Sequence, residues 1–123
     1  MALLIPTLVK ESVEVSVKDN KIIFVGNIDD ISPDEYLTPF IQQANDQAVS
    51  QGIKSIIVDI TGLNFLNSSG IKVLVDWVIK ISKLPDDKKY TITFLCSSKF
   101  MWQEASISTI MFLNPSQLKK EIV

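Results

Sequence analysis

Residues Asp59 to Trp77 read DITGLNFLNSSGIKVLVDW, and the preceding Ser55 to Val58 leads into them as one apolar run. The β-branched segment Ser55 to Ile60 predicts a strand, Thr61-Gly62 a polar turn, and Leu63-Asn64-Phe65-Leu66 a short bridge into a helix. That helix is expected to start at Asn67 or Ser68. Asn67 has the short side-chain oxygen that an N-cap requires, and Ile71, Leu74, Val75, Val78 and Ile79 recur at three- and four-residue spacing as a stripe to bury. Lys72, Asp76 and Lys80 fall four apart on the other side, where opposite charges support one another in water. Ser69 lies in the first turn near that exposed side. Unpaired backbone N–H groups and the positive end of the helix dipole there favour a phosphate. Taken alone, Asn-Ser-Ser-Gly also suits an ordinary strand-to-helix turn.

Working upstream, Val13, Val15 and Val17 alternate with polar residues, Asp19-Asn20 supplies a turn, and Lys21 to Val25 returns as a strand apolar enough to be covered on both faces. Gly26-Asn27-Ile28-Asp29 follows as a turn. Ser32-Pro33-Asp34-Glu35 resembles a capping box with proline at the first helical position, opening a helix that buries Tyr36, Leu37, Phe40, Ile41, Ala44 and Ala48 and stops at Gly52. Pro39 predicts a kink or a restart with Thr38 as a second cap. Downstream, Pro85 and Asp86-Asp87-Lys88-Lys89 end the central helix, and Tyr90 to Cys96 forms the next strand. Ser97-Ser98 is expected to cap a short helix carrying Phe100, Met101, Trp102 and Ala105. Ile107 to Leu113 predicts a last strand and Asn114 to Ile122 a brief last helix. A hairpin followed by alternating strands and helices implies an α/β fold, a mixed sheet whose later strands are parallel and joined by right-handed helical crossovers. At 123 residues, 1–123 is expected to be a single domain.

Composition narrows the function. The chain has no histidine, which removes the usual general base, the usual zinc ligand and any Ser-His-Asp triad. No catalytic residue, no metal and no cofactor is expected, since no Walker-type or dinucleotide glycine pattern occurs either. A net charge of -2 gives no reason to expect nucleic acid as a partner. No stretch suits membrane insertion or a secretory leader, and the one cysteine, Cys96, has no internal disulfide partner, so a cytoplasmic location is expected.

The run Val58-Asp59-Ile60 through Phe65-Leu66-Asn67-Ser68-Ser69-Gly70-Ile71, followed by Val73-Leu74-Val75, resembles the signature of the STAS family, the anti-sigma-factor antagonists and their relatives. Gly26-Asn27-Ile28-Asp29 is similar to that family's upstream Gly-Glu-Leu-Asp turn. The resemblance covers Val13 to Leu113 as a pattern of elements and is motif-level only in those two stretches. It implies a STAS-like fold and a non-catalytic, partner-switching regulator of transcription. In that family a partner serine kinase phosphorylates the serine before the motif glycine, here Ser69, and a phosphatase reverses it. The partner surface implied comprises Asp29, Asn67, Ser68, Ser69, Lys72, Asp76 and the segment around Trp102. Ser68 is read as a capping or packing residue. The chain departs from the family by having Asn67 for an aspartate and Asn27 for a glutamate. Those missing charges bear on kinase recognition and on repulsion of the phosphate.

Two other functions fit the same residues. One is a constitutive adaptor, a small subunit of a transporter or signalling scaffold without phosphorylation. The other is a receiver-like phosphoacceptor built on Asp29-Asp30 and Asp59. Against the receiver stand the opening hairpin and the lack of a lysine closing the expected last strand.

Overall fold

The structure, a computed structural model, describes residues 2–123. In chain order it contains β1 (Leu8–Val9), β2 (Val13–Lys18), β3 (Lys21–Ile28), α1 (Asp34–Gln51), β4 (Ser55–Leu66), α2 (Ser68–Ser82), a short 3-10 turn (Asp86–Lys88), β5 (Thr91–Cys96), α3 (Met101–Met111) and β6 (Leu118–Ile122). The six strands form one sheet in sequential order, β1-β2-β3-β4-β5-β6. The pairs β1/β2 and β2/β3 are antiparallel, and β3/β4, β4/β5 and β5/β6 are parallel. This is the mixed α/β sheet expected from the sequence, consistent with a STAS-like fold.

Alternation along each strand shows where the core sits. Ile22 and Phe24, Ile56, Val58 and Ile60, Ile92, Phe94 and Cys96, and Leu118 are all buried, whereas the residues between them are not. One face of the sheet is therefore packed against α1, α2 and α3, and the other is open to solvent. β3 is not covered on both faces: Val25 is 50% exposed. Sequential strand order is the reason, because each helical crossover returns to the same side and leaves the opposite face bare.

The helices obey their own periodicity with shifted detail. α1 is continuous from Asp34 to Gln51 through Pro39, without a restart at Thr38, and Gly52 ends it in the left-handed conformation (φ 69°). Pro33 precedes it without a side-chain cap, so the Ser32 box does not form; Glu35 instead donates its N–H to the Ser32 carbonyl at 3.2 Å. In α2 the buried set is Gly70, Val73, Leu74, Trp77, Val78 and Ile81. The stripe is thus rotated from the expected one: Ile71 and Val75 are partly buried, and Ile79 is exposed. Trp77 decides that rotation, because its Nε1–H donates to Tyr90 Oη at 2.8 Å while Tyr90 Oη donates to Asn45 Oδ1 at 2.7 Å, inside the core.

The last third differs most from expectation. Ile107 to Met111 is the second half of α3, burying Ile107 and Ile110 one turn apart, and is not a strand. Leu118 to Ile122 is strand β6, paired with β5 from Ile92↔Leu118 to Cys96↔Ile122, and is not a helix. Between them Asn114 and Gln117 are buried and tie the turn: Asn114 Nδ2–H donates to Val78 O at 3.2 Å, and Gln117 Nε2–H to Tyr90 O at 3.0 Å. Ser97 does not cap α3, whose N-cap is Phe100. Its Oγ accepts from Lys99 N–H at 3.1 Å.

Candidate functional site

The two motif stretches meet by strand pairing. Gly26-Asn27-Ile28 is the end of β3, not a turn, and Thr61 to Leu66 continues β4 instead of leaving it; Gly26 pairs with Leu63, Asn27 with Phe65 and Ile28 with Leu66. The strand passes through Thr61-Gly62 because Asp59 Oδ1 accepts both the Thr61 N–H at 2.9 Å and the Thr61 Oγ1–H at 2.6 Å. Register shifts in β3/β4 absorb the extra residues as a bulge. Gly26 has φ 111° and lies so close to the Ser12 carbonyl that a Cβ would overlap it. Any other residue there would be strained in both respects.

Asn67 locks this junction. Its Oδ1 caps α2 by accepting the Gly70 N–H at 2.9 Å, and its Nδ2–H donates to the Asp30 carbonyl at 2.6 Å. Its backbone N–H donates to Ile28 O at 3.0 Å. Turning the amide over would face N–H to N–H and oxygen to oxygen, so only one orientation satisfies both neighbours. The cap therefore belongs to Asn67, and Ser68 is the exposed first residue of the helix. Gly70 permits the close approach: a Cβ would overlap Leu66 Cδ1 and come within 3.2 Å of Ile28 Cγ2.

Asp29 and Asp30 face different neighbours. Ser12 Oγ is 2.9 Å from Asn27 O and 3.3 Å from the exposed Asp29 Oδ1, with a single proton to give. Asp30 Oδ1 accepts the Tyr36 hydroxyl at 2.8 Å, and Lys10 Nζ stands 5.4 Å from the Tyr36 ring centroid. Burial, then the hydrogen bond and the charge of Asp30, push the Tyr36 hydroxyl pKa well up.

Ser69 is half-buried and faces α1. It lines a depression of about 310 Å³ with Asp34, Thr38, Lys72, Val73 and Asp76. Lys72 Nζ is 3.0 Å from Asp76 Oδ2, both side chains being mostly exposed, so the pair adds little stability. Thr38, Val73 and Asp76 also line a second depression of about 160 Å³ that continues along α1 and α2 to Asn45, Trp77 and Lys80. The two share Thr38, Val73 and Asp76 as one groove between the helices, and Lys80 Nζ donates across it to Gln42 Oε1.

Trp102 is half-buried and donates its Nε1–H to Asn64 O at 2.9 Å, while Met101 beside it is 87% exposed. Next to Trp102, the fully buried Gln103 Nε2 donates to Ile60 O at 2.7 Å and Leu63 O at 2.8 Å, and its Oε1 accepts from Ser97 N–H at 2.7 Å. α3 is thereby tied to the distal half of β4. The structure joins Asp29, Asn67, Ser68 and Ser69 at the carboxyl ends of β3 and β4, with Lys72 and Asp76 running away along α2. Nothing in the sequence pointed to the amide of Asn67 as a donor or to the α1 wall of the groove. For Gln103 the available signal is an uncharged polar residue following the apolar run Phe100-Met101-Trp102.

Of the two obstacles expected for a receiver-like arrangement, the antiparallel opening hairpin is present and the missing lysine is not. The last strand, β6, does carry Lys119 and Lys120. However, Asp59 is bonded to Thr61 within its own strand, and among the described residues Asp29, Asp30 and Asp59 form no metal-holding cluster. Likewise among the described residues, no helix is long and apolar enough to cross a membrane. No protein-family model matches this sequence, and no curated protein matches it.

Proposed function

We propose that this chain is a STAS-like regulatory module of the anti-sigma-factor-antagonist type, acting in the cytoplasm by binding a partner serine kinase and switched by phosphorylation of Ser69. It is a binding protein without turnover of its own. The observation that carries this reading is the Asn67 clasp: one amide holds the loop after β3 and the first turn of α2 together, with Ser69 beside the α1–α2 groove. Phosphate on Ser69 adds about -1.5 to -2 charges at pH 7 in a depression lined by Asp34 and Asp76, where Lys72 is already paired with Asp76. The clasp lies on the Asn67 side chain and is untouched by that charge. Phosphorylation therefore changes the sign and hydration of the docking groove while the fold stays as it is. Asn67, where the family has aspartate, keeps one further negative charge away from the phosphate.

The test uses the purified chain, magnesium ATP and kinase-containing fractions of its native cytoplasm, read by intact mass for wild type, Ser68→Ala, Ser69→Ala and Asn67→Asp. One added phosphate, lost only in Ser69→Ala, is the expected result. Loss only in Ser68→Ala moves the switch to the more exposed hydroxyl. A wild type that stays unmodified while Asn67→Asp is phosphorylated makes the protein a constitutive adaptor.

A further inference from the structure

We propose that the open face of the sheet is the contact surface of a homodimer, with two copies stacked face to face and their strands running in opposite directions. The register places two rows side by side across this face. In one, Lys18 pairs with Lys21, Lys21 with Ile57, Ile57 with Thr93 and Thr93 with Lys119. In the next, Ser16 pairs with Ile23, Ile23 with Asp59, Asp59 with Leu95 and Leu95 with Glu121. Glu14 and Val25 pair one row further on. Lys120, between the two β6 residues named, turns to the helical side, where its Nζ is 2.8 Å from Ser108 Oγ.

Charge on this face is segregated: three lysines lie in the first row, and Asp59, Glu121 and Glu14 lie in the rows beyond it. Ile57, Ile23 and Leu95 surround Asp59 at the middle of the face, with Val25 one row beyond, and the five strands from β2 to β6 span ~19 Å at the usual strand spacing. Such a face complements itself in one orientation. A two-fold axis lying between the two rows and running across the strands puts each lysine row over the acidic row of the other copy. Lys119 then lies opposite Glu121 of the second copy, and Lys21 beside its Asp59. An axis along the strands would instead bring Lys18 over Lys119 of the second copy, which like charges oppose. The groove beside Ser69 is on the helical side, so this inference does not depend on the phosphorylation proposal.

Sedimentation velocity on the full chain, from low to high micromolar concentration and at low and high salt, tests this. Wild type is expected to dimerise in the micromolar range, as suits a small interface, more weakly at high salt. Lys119→Glu and Glu121→Lys should each weaken the dimer about tenfold. Mixed together, these two variants should form a heterodimer tighter than either homodimer, because both contacts become complementary again. Ile57→Asp should abolish association while circular dichroism stays native. A protein monomeric throughout would leave this face to another partner and overturn the assignment. A dimer indifferent to all three substitutions would overturn it as well.

Discussion

Replacing Asn67 by aspartate separates the two jobs of that side chain. The cap survives, since a carboxylate oxygen accepts the Gly70 N–H as well as the amide does, and charge at a helix N-terminus adds about 0.3 to 1 kcal/mol. The contact to Asp30 does not survive. An ionised aspartate has no proton for the Asp30 carbonyl, which the Asn67 amide now approaches to 2.6 Å, so two oxygens face each other across a half-buried junction. Losing a buried partner in this way costs about 1 to 3 kcal/mol. Asn67→Asp should therefore lower stability by about 1 to 2 kcal/mol at neutral pH, after the gain from the dipole is subtracted. Asn67→Ala forfeits the cap as well, and should cost about 1 kcal/mol more. The effect of the aspartate also has a sign in pH. The folded state prefers the protonated carboxyl, which can again donate to Asp30, so the new group titrates higher folded than unfolded. The stability it retains is present below the unfolded value, near 3.9, and is lost as pH rises. Urea unfolding from pH 4 to 8, with equal m-values as the check on two-state behaviour, measures both effects. Equal stability of Asn67→Asp and wild type at neutral pH would show that the bond to Asp30 does not hold the junction together.

Two further outcomes follow from buried polar contacts. Gln103→Leu keeps the bulk but strands the Ile60 and Leu63 carbonyls and the Ser97 N–H, so thermal unfolding should show a loss of about 2 to 4 kcal/mol. The two tyrosines of the chain, Tyr36 and Tyr90, both have pKa values raised above 10 in the folded protein, each chiefly by burial. The unfolded chain therefore loses these protons first. Their contribution is intact below pH 10 and declines as pH rises through the folded values, so tyrosinate absorbance should lag that of the unfolded chain and stability should fall above pH 10.

Much of the fold lay open in local pattern. The cap at Asn67 and the stop at Gly52 are decided by contacts within a few residues, and the alternation of Val13, Val15 and Val17 and the apolar strands at Ser55 and Tyr90 show in neighbouring residue types. Such contacts leave a signature in the order of residue types. Residue spacing locates the α2 stripe only approximately, because it leaves out Trp77. Its burial is settled by Tyr90 and Asn45, which lie on other elements.

The last third and the centre of the site were decided elsewhere. Ile107 to Leu113 is apolar and short, which suits a strand or a helix equally, and the choice falls to packing of Ile107 and Ile110. Leu118 to Ile122 carries two lysines and a glutamate and looks solvated, yet its backbone finds a complete ladder on β5. Thr61-Gly62 has the composition of a turn, but pairing with β3 keeps it in the sheet. The bond from Asn67 to Asp30 spans 37 residues. The sequence alone determined the cap at Asn67, the stop at Gly52 and the alternation of strand and helix as far as β5. Tertiary structure decided that Leu118 to Ile122 supplied the β6 edge strand, which amide joined the two motifs and which face of the sheet stayed bare, because each depends on hydrogen bonds and burial between residues far apart in the chain.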